Sequence, residues 1–515
     1  MKRFLTPLAC LALFVTACGG NKVNPDPTPE PDPAPTVITV SPASITADQA
    51  GGSYDLTITA PSRPALELPS WITKKDGTFN NYKITFTLVV AANDTYEARS
   101  AEVKVSATGA NAVTVKVTQA GKEVIPDPSL PDNIAVARMK ELGLGWNMGN
   151  HFDSINDGVS GETIWGNPEC TQATFDGVKA AGFTSVRIPV TWMGHIGEAP
   201  DYQIEEAWMN RIYEVVGYAE NAGLHVILNT HHDEDHGDAH WLNLANAVSS
   251  AEANAQIKEE IAAVWTQIAN KFKEKGDFLM MESFNELIFG TEWSLGSNPE
   301  KKTGIINEWN QVFVDAVRST GGNNGTRWLG VPGYAASPNY LQYLAVPDDP
   351  VKNQNRIMLA FHCYDPYNYT IGDAQSSTWG HTGTNFPNGE EEIKTLFNSI
   401  YTNYVAKDIP IYMGEFGCSF RDKNDAKAWA YFNYYLEYVV KAARVFGIPA
   451  FVWDNGSLGE NGKGFGKESH CYIHHGTGEY MLPQSQEPVQ AMVKAWFTTD
   501  ASYTLQSVYD SAPQF

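Results

Sequence analysis

The feature that most constrains the fold is a series of eight short apolar runs across residues 134–515, separated by segments with helical periodicity. One such segment carries apolar residues at steps of three and four from Ile204 to Ala219, typical of a helix with one buried face. Eight alternating strand and helix units over roughly 380 residues predict an α/β fold, a closed (β/α)8 TIM barrel. An open doubly wound sheet is the alternative, but no glycine-rich phosphate turn follows the first run. The predicted strands are Leu142–Met148, Phe183–Val190, Leu224–Thr230, Phe278–Phe284, Trp328–Gly333, Ile357–Tyr364, Ile409–Gly414 and Pro449–Trp453.

Polar side chains mark the ends of six of these runs. Active sites of such barrels lie at the carboxyl ends of the strands, so side chains there are the candidates for chemistry. Any single one could be an ordinary buried polar residue, whereas six marked ends are improbable by chance. The candidates are Arg187 in the second run, His231 and His232 after the third, Asn285 and Glu286 after the fourth, His362 and Tyr364 in the sixth, Glu415 at the end of the seventh and Trp453 in the eighth.

This set closely resembles family-5 glycoside hydrolases, in which the acid/base follows an Asn on the fourth strand and the nucleophile ends the seventh. The resemblance spans most of residues 134–515 and implies a retaining enzyme with Glu286 as acid/base and Glu415 as nucleophile. Retaining hydrolysis needs two carboxyl groups about 5–5.5 Å apart, and strands four and seven face each other across a barrel mouth. The supporting residues implied by the resemblance are Arg187, His231, His232, Asn285, His362, Tyr364 and Trp453.

The motifs His231-His232-Asp233 and Trp453-Asp454-Asn455-Gly456 resemble subfamily 4 of that family, a group of endo-β-1,4-glucanases. Its members act on cellulose derivatives, mixed-linkage glucan and xyloglucan. One departure is His151-Phe152, where the subgroup usually has Thr and a variable residue, and this predicts a difference in the outer non-reducing subsites. Five tryptophans near strand ends are candidates for sugar-stacking surfaces, with about half of them expected to be packed: Trp165, Trp192, Trp241, Trp293 and Trp379.

Three alternatives stay open from the sequence. Glu282 lies four residues before Glu286, so strand alternation points both side chains the same way, and only Asn285 and the strand end favour Glu286. A β-mannanase on the same scaffold is the nearest enzymatic rival. A non-catalytic surface glycan-binding lipoprotein is the rival from another class, although such a protein has no use for two opposed carboxylates.

The stretch His231–His240 holds several His and Asp residues, which raises the question of a metal site. Two carboxylates suffice for retaining hydrolysis, so we expect neither a catalytic metal nor a cofactor. The cysteines Cys170, Cys363, Cys418 and Cys471 form no CxxC pair, which argues against zinc and leaves disulfides and buried thiols equally open.

The N-terminus has the pattern of a bacterial export signal. Lys2 and Arg3 precede an apolar run that is too short to span a membrane, and Val15-Thr16-Ala17-Cys18 resembles a lipobox. We therefore expect residues 1–18 to be a lipoprotein signal, Cys18 to be lipidated, and the protein to be exported and anchored at the bacterial outer membrane or cell surface. Residues 19–36 alternate proline with acidic residues and predict a semi-rigid linker.

Residues 37–121 alternate apolar and polar side chains in short runs, which predicts a small all-β immunoglobulin-like sandwich. Trp71, Arg99 and the closing Val117–Gly121 stretch resemble the BACON domain, a module of exported bacterial glycan enzymes. Because its aromatic residues are few, a spacer role is favoured over sugar binding. A second proline-containing linker at 122–133 leads to the barrel at 134–515.

The overall charge narrows the class of partner. The formal net charge is −23, and phosphate backbones and polyanionic polysaccharides are held by fields of Lys and Arg. We therefore expect a neutral substrate and no nucleic acid, and the family resemblance implies that the substrate is a neutral β-glucan polysaccharide. We also expect contact with a membrane through the lipid alone, and a monomer.

Overall fold

The structure is a computed structural model, and it describes residues 33–95, 97–123, 125–234, 240–350, 356–372, 376–459 and 462–515. The predicted signal with Cys18 and most of the predicted proline-rich linker lie outside these residues. The chain divides into two compact units, Met1–Glu123 and Val124–Phe515. Among the helices of the described residues, none combines the length and hydropathy that a bilayer span requires.

The N-terminal unit is a sandwich of two four-stranded sheets, as its alternating pattern predicts. The strands are β1 (Thr39–Ser41), β2 (Ser44–Ala47), β3 (Gly52–Thr59), β4 (Ala65–Glu67), β5 (Ile72–Asp76), β6 (Lys83–Val90), β7 (Arg99–Ala107) and β8 (Ala110–Gln119). One sheet has the order β1-β3-β6-β5 and the other β2-β8-β7-β4. Val103 pairs with Val115 across β7 and β8, and both are fully buried, because alternate residues of each strand point into the core. The guanidinium of Arg99 lies 4.5 Å from the Trp71 ring.

The C-terminal unit is a closed barrel of eight parallel strands, which confirms the predicted (β/α)8 fold. The barrel strands are buried on both sides, and this is why they read as continuous apolar runs. The last two strands extend beyond the predicted runs, so Glu415 lies within the seventh. They are β9 (Leu144–Met148), β12 (Ser185–Ile188), β13 (His225–Asn229), β14 (Leu279–Glu282), β15 (Leu329–Pro332), β16 (Ile357–Cys363), β17 (Ile411–Phe416) and β18 (Ala450–Asp454); β10 (Ile155–Asn156) and β11 (Val159–Ser160) form a hairpin after β9.

Helices surround the barrel and bury one face against it. The predicted stripe lies mainly on α3 (Glu206–Asn221), where Trp208, Ile212 and Ala219 are buried, although the helix begins only after Ile204. The helices are α1 (Ile134–Leu142), α2 (Gln172–Ala180), α3 (Glu206–Asn221), α4 (Leu244–Ser249), α5 (Ala251–Lys271), α6 (Pro299–Ser319), α7 (Tyr367–Thr370), α8 (Gly389–Asn403), α9 (Ala426–Val445), α10 (Gln486–Phe497) and α11 (Leu505–Asp510).

Part of the stretch predicted as the second linker lies against the barrel helices. Asp127 forms a 2.9 Å ion pair with Lys441 of α9 and accepts a hydrogen bond from the backbone N–H of Leu505 at the start of α11. Asn133 then caps α1 by accepting from the N–H of Val136. The four cysteines from Cys170 to Cys471 are buried free thiols.

Candidate active site

The strand ends open into one groove at the carboxyl-terminal mouth of the barrel, with a volume of about 670 Å³. Its wall includes both predicted glutamates and six of the seven predicted supporting residues; Arg187 lies fully buried beneath it. The predicted residues in the wall are His231, His232, Asn285, Glu286, His362, Tyr364, Glu415 and Trp453. The structure therefore brings the separate strand-end motifs to one open site.

The carboxylates of Glu286 and Glu415 face each other closely. One oxygen of each, together with a ring nitrogen of His362, lies in a group whose atoms are all within 4.8 Å of one another. His362 Nδ1 is 2.6 Å from Glu286 Oε1 and 3.7 Å from Glu415 Oε2. This separation suits retaining hydrolysis, in which no water has to fit between the second carboxylate and the sugar during the first step.

A local irregularity of the sheet brings His362 beside Glu415. The pairing of β16 with β17 shifts between Phe361 and His362, so that His362 pairs with Glu415 and Gly414 is passed over. A Cβ at Gly414 would lie 3.2 Å from His362 Nε2, closer than ordinary van der Waals contact, so the small residue makes room for the imidazole. The strand sequence thus sets the register that joins the two side chains.

Two hydrogen bonds hold the Glu415 carboxylate, one on each oxygen. Arg187 Nη1 donates to its Oε1 at 2.8 Å, and the Tyr364 hydroxyl donates to its Oε2 at 2.9 Å. Burial raises the pKa of Glu415, while the positive charges of His362 and Arg187 act to lower it. Burial and the charge of Glu415 raise the pKa of Tyr364 well above its ordinary value, so this hydroxyl remains a donor.

Arg187 also settles which fourth-strand glutamate reaches the groove. Its Nε and Nη2 donate to the two oxygens of Glu282 at 2.9 and 2.8 Å, and the Tyr412 hydroxyl donates to Glu282 at 2.9 Å. Glu282 is fully buried beneath the groove, whereas the Glu286 side chain is 22% exposed at its surface. Glu282 is therefore a partner of the buried arginine, and Glu286 is the fourth-strand carboxyl open to a ligand.

Burial and the neighbouring charges act on the pKa of His362 in opposite directions. Burial acts to lower the pKa of His362, but the negative charges of Glu415 and Glu286 outweigh it and raise that pKa above the ordinary histidine value. The two carboxylates thus stabilise the charged form of the imidazole, in which Nδ1 can donate to Glu286.

The sequence model of the cellulase family, glycosyl hydrolase family 5, matches residues 148–459. The chain belongs to glycoside hydrolase family 5. As a member, it is a retaining glycoside hydrolase, as the strand-end motifs predicted. A second model, BACON, described as an N-terminal binding domain, matches residues 67–120 of the sandwich.

Individual family-5 proteins resemble the chain over most of their length. It is 33% identical to a xyloglucan-specific endo-β-1,4-glucanase from Bacteroides ovatus over 436 residues, which cover 79% of this chain and 84% of the relative. A Bacteroidetes-affiliated GH5 cellulase has a solved structure with TM-score 0.70 and 43% identity, covering 74% of this chain and 98% of that one. The solved structure of a GH5-4 broad-specificity endoglucanase from Bacteroides salanitronis has a TM-score of 0.67 and 44% sequence identity. It covers 73% of this chain and 99% of that one.

In this family-5 barrel, the ring of His231 stacks on Trp453, with centroids 5.9 Å apart and an angle of 6° between the planes. Burial lowers the pKa of His231 well below its ordinary value, so it is neutral. Ligand atoms of Asp153, His231 and His232 lie within 4.8 Å of one another, a separation suited to a metal ion. His236, part of the stretch considered for a metal site, lies outside the described residues.

The side chains of His151 and Phe152, where the sequence departs from subfamily 4, do not reach the groove. Both side chains are fully buried, and His151 Nε2 is 3.1 Å from Glu162. Burial lowers the pKa of His151 to about 4. The expected difference in the outer subsites therefore cannot come from direct contact of these residues with sugar.

The tryptophan candidates divide into exposed and packed rings. Trp165 and Trp293 are 42% and 55% exposed, and Trp293 lines the groove. Trp165 lies beside His232, with ring centroids 5.6 Å apart. Trp192 and Trp379 are fully buried, and Trp241 donates its N–H to Asp233. Of these five candidates, the two exposed rings are placed to offer a face to sugar.

Several residues of the site were missed by the sequence-based reasoning. Asn147 accepts from Arg187 Nη1 at 3.1 Å, and Tyr412 bonds Glu282. Burial raises the pKa of Asp153 to about 7, and Glu234 bonds the segment that carries Glu286. The signal available for Asn147 was an amide inside an otherwise apolar strand, whereas Glu234 stood in a loop with no periodicity.

Proposed function

We propose that this family-5 enzyme is an endo-β-1,4-glucanase of neutral plant β-glucans, with Glu286 as acid/base and Glu415 as nucleophile. The observation that carries this proposal is the approach of the two carboxylates to within 4.8 Å in one open groove. Of the two, Glu415 is held by a buried arginine, and Glu286 is more open to a leaving group.

In the first step, a carboxylate oxygen of Glu415 attacks the anomeric carbon while Glu286 gives its proton to the glycosidic oxygen. The bond between that carbon and oxygen breaks, the leaving chain departs as an alcohol, and the sugar is left esterified to Glu415. Arg187 and Tyr364 direct one Glu415 oxygen each and support its ionised form. Asn285 is suited to bind the sugar 2-hydroxyl, where contacts strengthen in the transition state.

In the second step, the Glu286 carboxylate takes a proton from water, and the water oxygen displaces Glu415 from the anomeric carbon. Two displacements on opposite faces return the original β configuration. The hydrogen bond from His362 to Glu286 stabilises the carboxylate that forms when the leaving group takes the proton. The stacked pair of Trp453 and His231 provides a floor for the ring being cleaved.

The substrate class is supported by the relatives and by the surface of the groove. Relatives are named for xyloglucan and for broad endoglucanase specificity. Trp293 and Tyr367 line the groove and are 55% and 58% exposed, which suits flat contacts with neutral sugar rings. The net charge of −23 disfavours acidic polysaccharides.

The test is a substrate panel of xyloglucan, mixed-linkage glucan, carboxymethyl cellulose and mannan, with product sizing and detection of the anomeric form first released. We expect β-anomeric oligosaccharides of mixed length from one or more of the glucans. Mannan as the preferred polymer would replace this proposal with a mannanase. Binding of a glucan with no released reducing ends would replace it with a glycan-binding protein.

We also propose that the protein is exported, monomeric and anchored in a membrane through lipid on Cys18. The support is the sequence pattern of Lys2 and Arg3, the apolar run and Val15–Cys18. Expressed in a bacterium, the full chain should label with a fatty-acid analogue and sediment with membranes. The Cys18→Ser variant should lose the label, and a wild-type chain that never takes it up would contradict the proposal.

A further inference from the structure

A buried carboxyl outside the described reaction contacts the segment that carries Glu286. Glu234 follows β13 by five residues and is 1% exposed. Its Oε1 accepts hydrogen bonds from the Glu286 backbone N–H at 2.9 Å and from Asn285 Nδ2 at 3.0 Å. Its Oε2 accepts from the Asn285 backbone N–H at 3.3 Å. Three donors from two consecutive residues thus converge on one side chain.

These contacts set the orientation of the Asn285 amide. Arg187 Nη2 donates to Asn285 Oδ1 at 2.8 Å, while Asn285 Nδ2 donates to Glu234. The oxygen and the nitrogen of the amide are therefore bound on opposite sides, and the amide cannot flip without losing both bonds. The second Nδ2 proton remains for a ligand hydroxyl in the groove.

The backbone bond to Glu286 bears on proton transfer. Glu286 lies beyond the end of β14, so no strand pairing holds its N–H. Glu234 supplies that acceptor instead, and His362 contacts the carboxyl at the other end of the residue. A general acid works only within hydrogen-bond reach of the atom it protonates, so a small displacement of Glu286 weakens protonation of the leaving group.

We propose that Glu234 is a positioning residue that holds Glu286 and the Asn285 amide in the geometry required for leaving-group protonation. The inference rests on the proposed function and deepens it by adding a residue from the third β/α loop to the acid/base machinery. Glu234 touches no reacting atom and acts through its two neighbours on the fourth loop.

The test compares two cellobiosides whose leaving groups differ in how much they depend on protonation by the general acid. Dinitrophenyl cellobioside has a leaving group that departs without a proton, and phenyl cellobioside has one that requires it. For Glu234→Ala we expect kcat/KM on the phenyl substrate to fall about 10-fold more than on the dinitrophenyl substrate. Glu234→Gln keeps one acceptor oxygen and should show a smaller change of the same kind, about 3-fold.

The matched control is Asp233→Asn. Asp233 is the neighbouring buried carboxyl, and it accepts from the backbone N–H of Trp192 and Met193 and from the Trp241 ring rather than from the Glu286 segment. Its substitution should lower thermal stability and leave the ratio of the two substrates within twofold of the wild-type ratio.

The outcomes separate this inference from the function on which it rests. A wild-type chain that cleaves neither cellobioside nor any glucan would contradict the proposed function. A wild-type chain that cleaves both, with Glu234 variants that lose equally on the two substrates, would overturn the positioning role. Failure of both variants to fold would overturn it as well, because a purely structural contribution would then account for the residue.

Discussion

The two walls of the groove present the same chemical group in opposite environments. On the β17 wall, the Glu415 side chain is 7% exposed and bonded to Arg187 and Tyr364. On the β14 wall, the Glu286 side chain is 22% exposed, and its carboxylate contacts His362, itself a titrating group. A nucleophile benefits from fixed charge and fixed position, whereas an acid/base must exchange its proton with a leaving group and with water. The difference supports the proposed roles of Glu415 as nucleophile and Glu286 as acid/base.

The largest effect should follow loss of the carboxylate on the β17 wall. Glu415→Gln removes the carboxylate that is proposed to attack the anomeric carbon, so kcat should fall about 10⁴-fold or more on every substrate, whatever its leaving group. Steady-state assays on a glucan and on dinitrophenyl cellobioside measure this. Turnover within 10-fold of wild type on either substrate would end the assignment of Glu415.

Loss of the carboxyl on the β14 wall should depend on the substrate. Glu286→Gln keeps the side-chain shape but cannot donate a proton, so kcat on polysaccharide should fall roughly 10²–10⁴-fold. The first step with dinitrophenyl cellobioside should be nearly unaffected, and pre-steady-state release of dinitrophenol measures it. If Glu286→Gln and Glu415→Gln lose activity equally on both substrates, the proposed difference in role between the two carboxyls is wrong.

The stability of the folded protein should depend on Arg187, the cation that pairs with a glutamate of each wall. Arg187→Leu leaves Glu282 and Glu415 buried without their common partner, so the free energy of unfolding should fall by about 3–5 kcal/mol. Urea denaturation measures this. Arg211→Leu, which removes the partner of the partly exposed Glu162, is the control and should cost less. An equal loss in both variants would show that burial of the Arg187 cluster is not what makes it costly to break.

The histidine between the walls should give the smallest change, and one that depends on pH. The folded pKa of His362 is raised, so its stabilising contribution is complete below the unfolded value near 6.5 and is lost as pH rises through the folded pKa. The stability of wild type relative to His362→Gln, from urea denaturation, should therefore be greatest at low pH and fall as the pH rises above about 6.5. A difference that stays constant or grows with pH would contradict the raised pKa.

Much of the architecture could be predicted because its signals are local. Buried parallel strands read as apolar runs, and the eight runs each overlap one barrel strand. The strand ends carried the polar residues that line the groove, since every parallel strand of a barrel delivers its carboxyl end to the same mouth. The ends of individual strands and helices were predicted less well. β17 and β18 extend past their predicted runs, and α3 begins after Ile204.

The partners of buried polar groups could not be predicted, because they come from distant parts of the chain. Asn147 and Tyr412 complete the arginine cluster from strands far from β12 in sequence. His151 stood in a strand-end loop like the groove residues, yet it is buried against Glu162. No local pattern distinguishes a loop side chain that turns outward from one that turns inward.

The sequence by itself determined the barrel, the sandwich and the set of strand-end residues, because periodicity and strand alternation are properties of neighbouring residues. Only the tertiary structure decided that Glu282 pairs with Arg187 while Glu286 opens to the groove, and that Glu234 holds the Glu286 segment. The physical reason is that a buried charge or an unpaired backbone donor is satisfied through space, by whichever partner the closed barrel brings within hydrogen-bond distance.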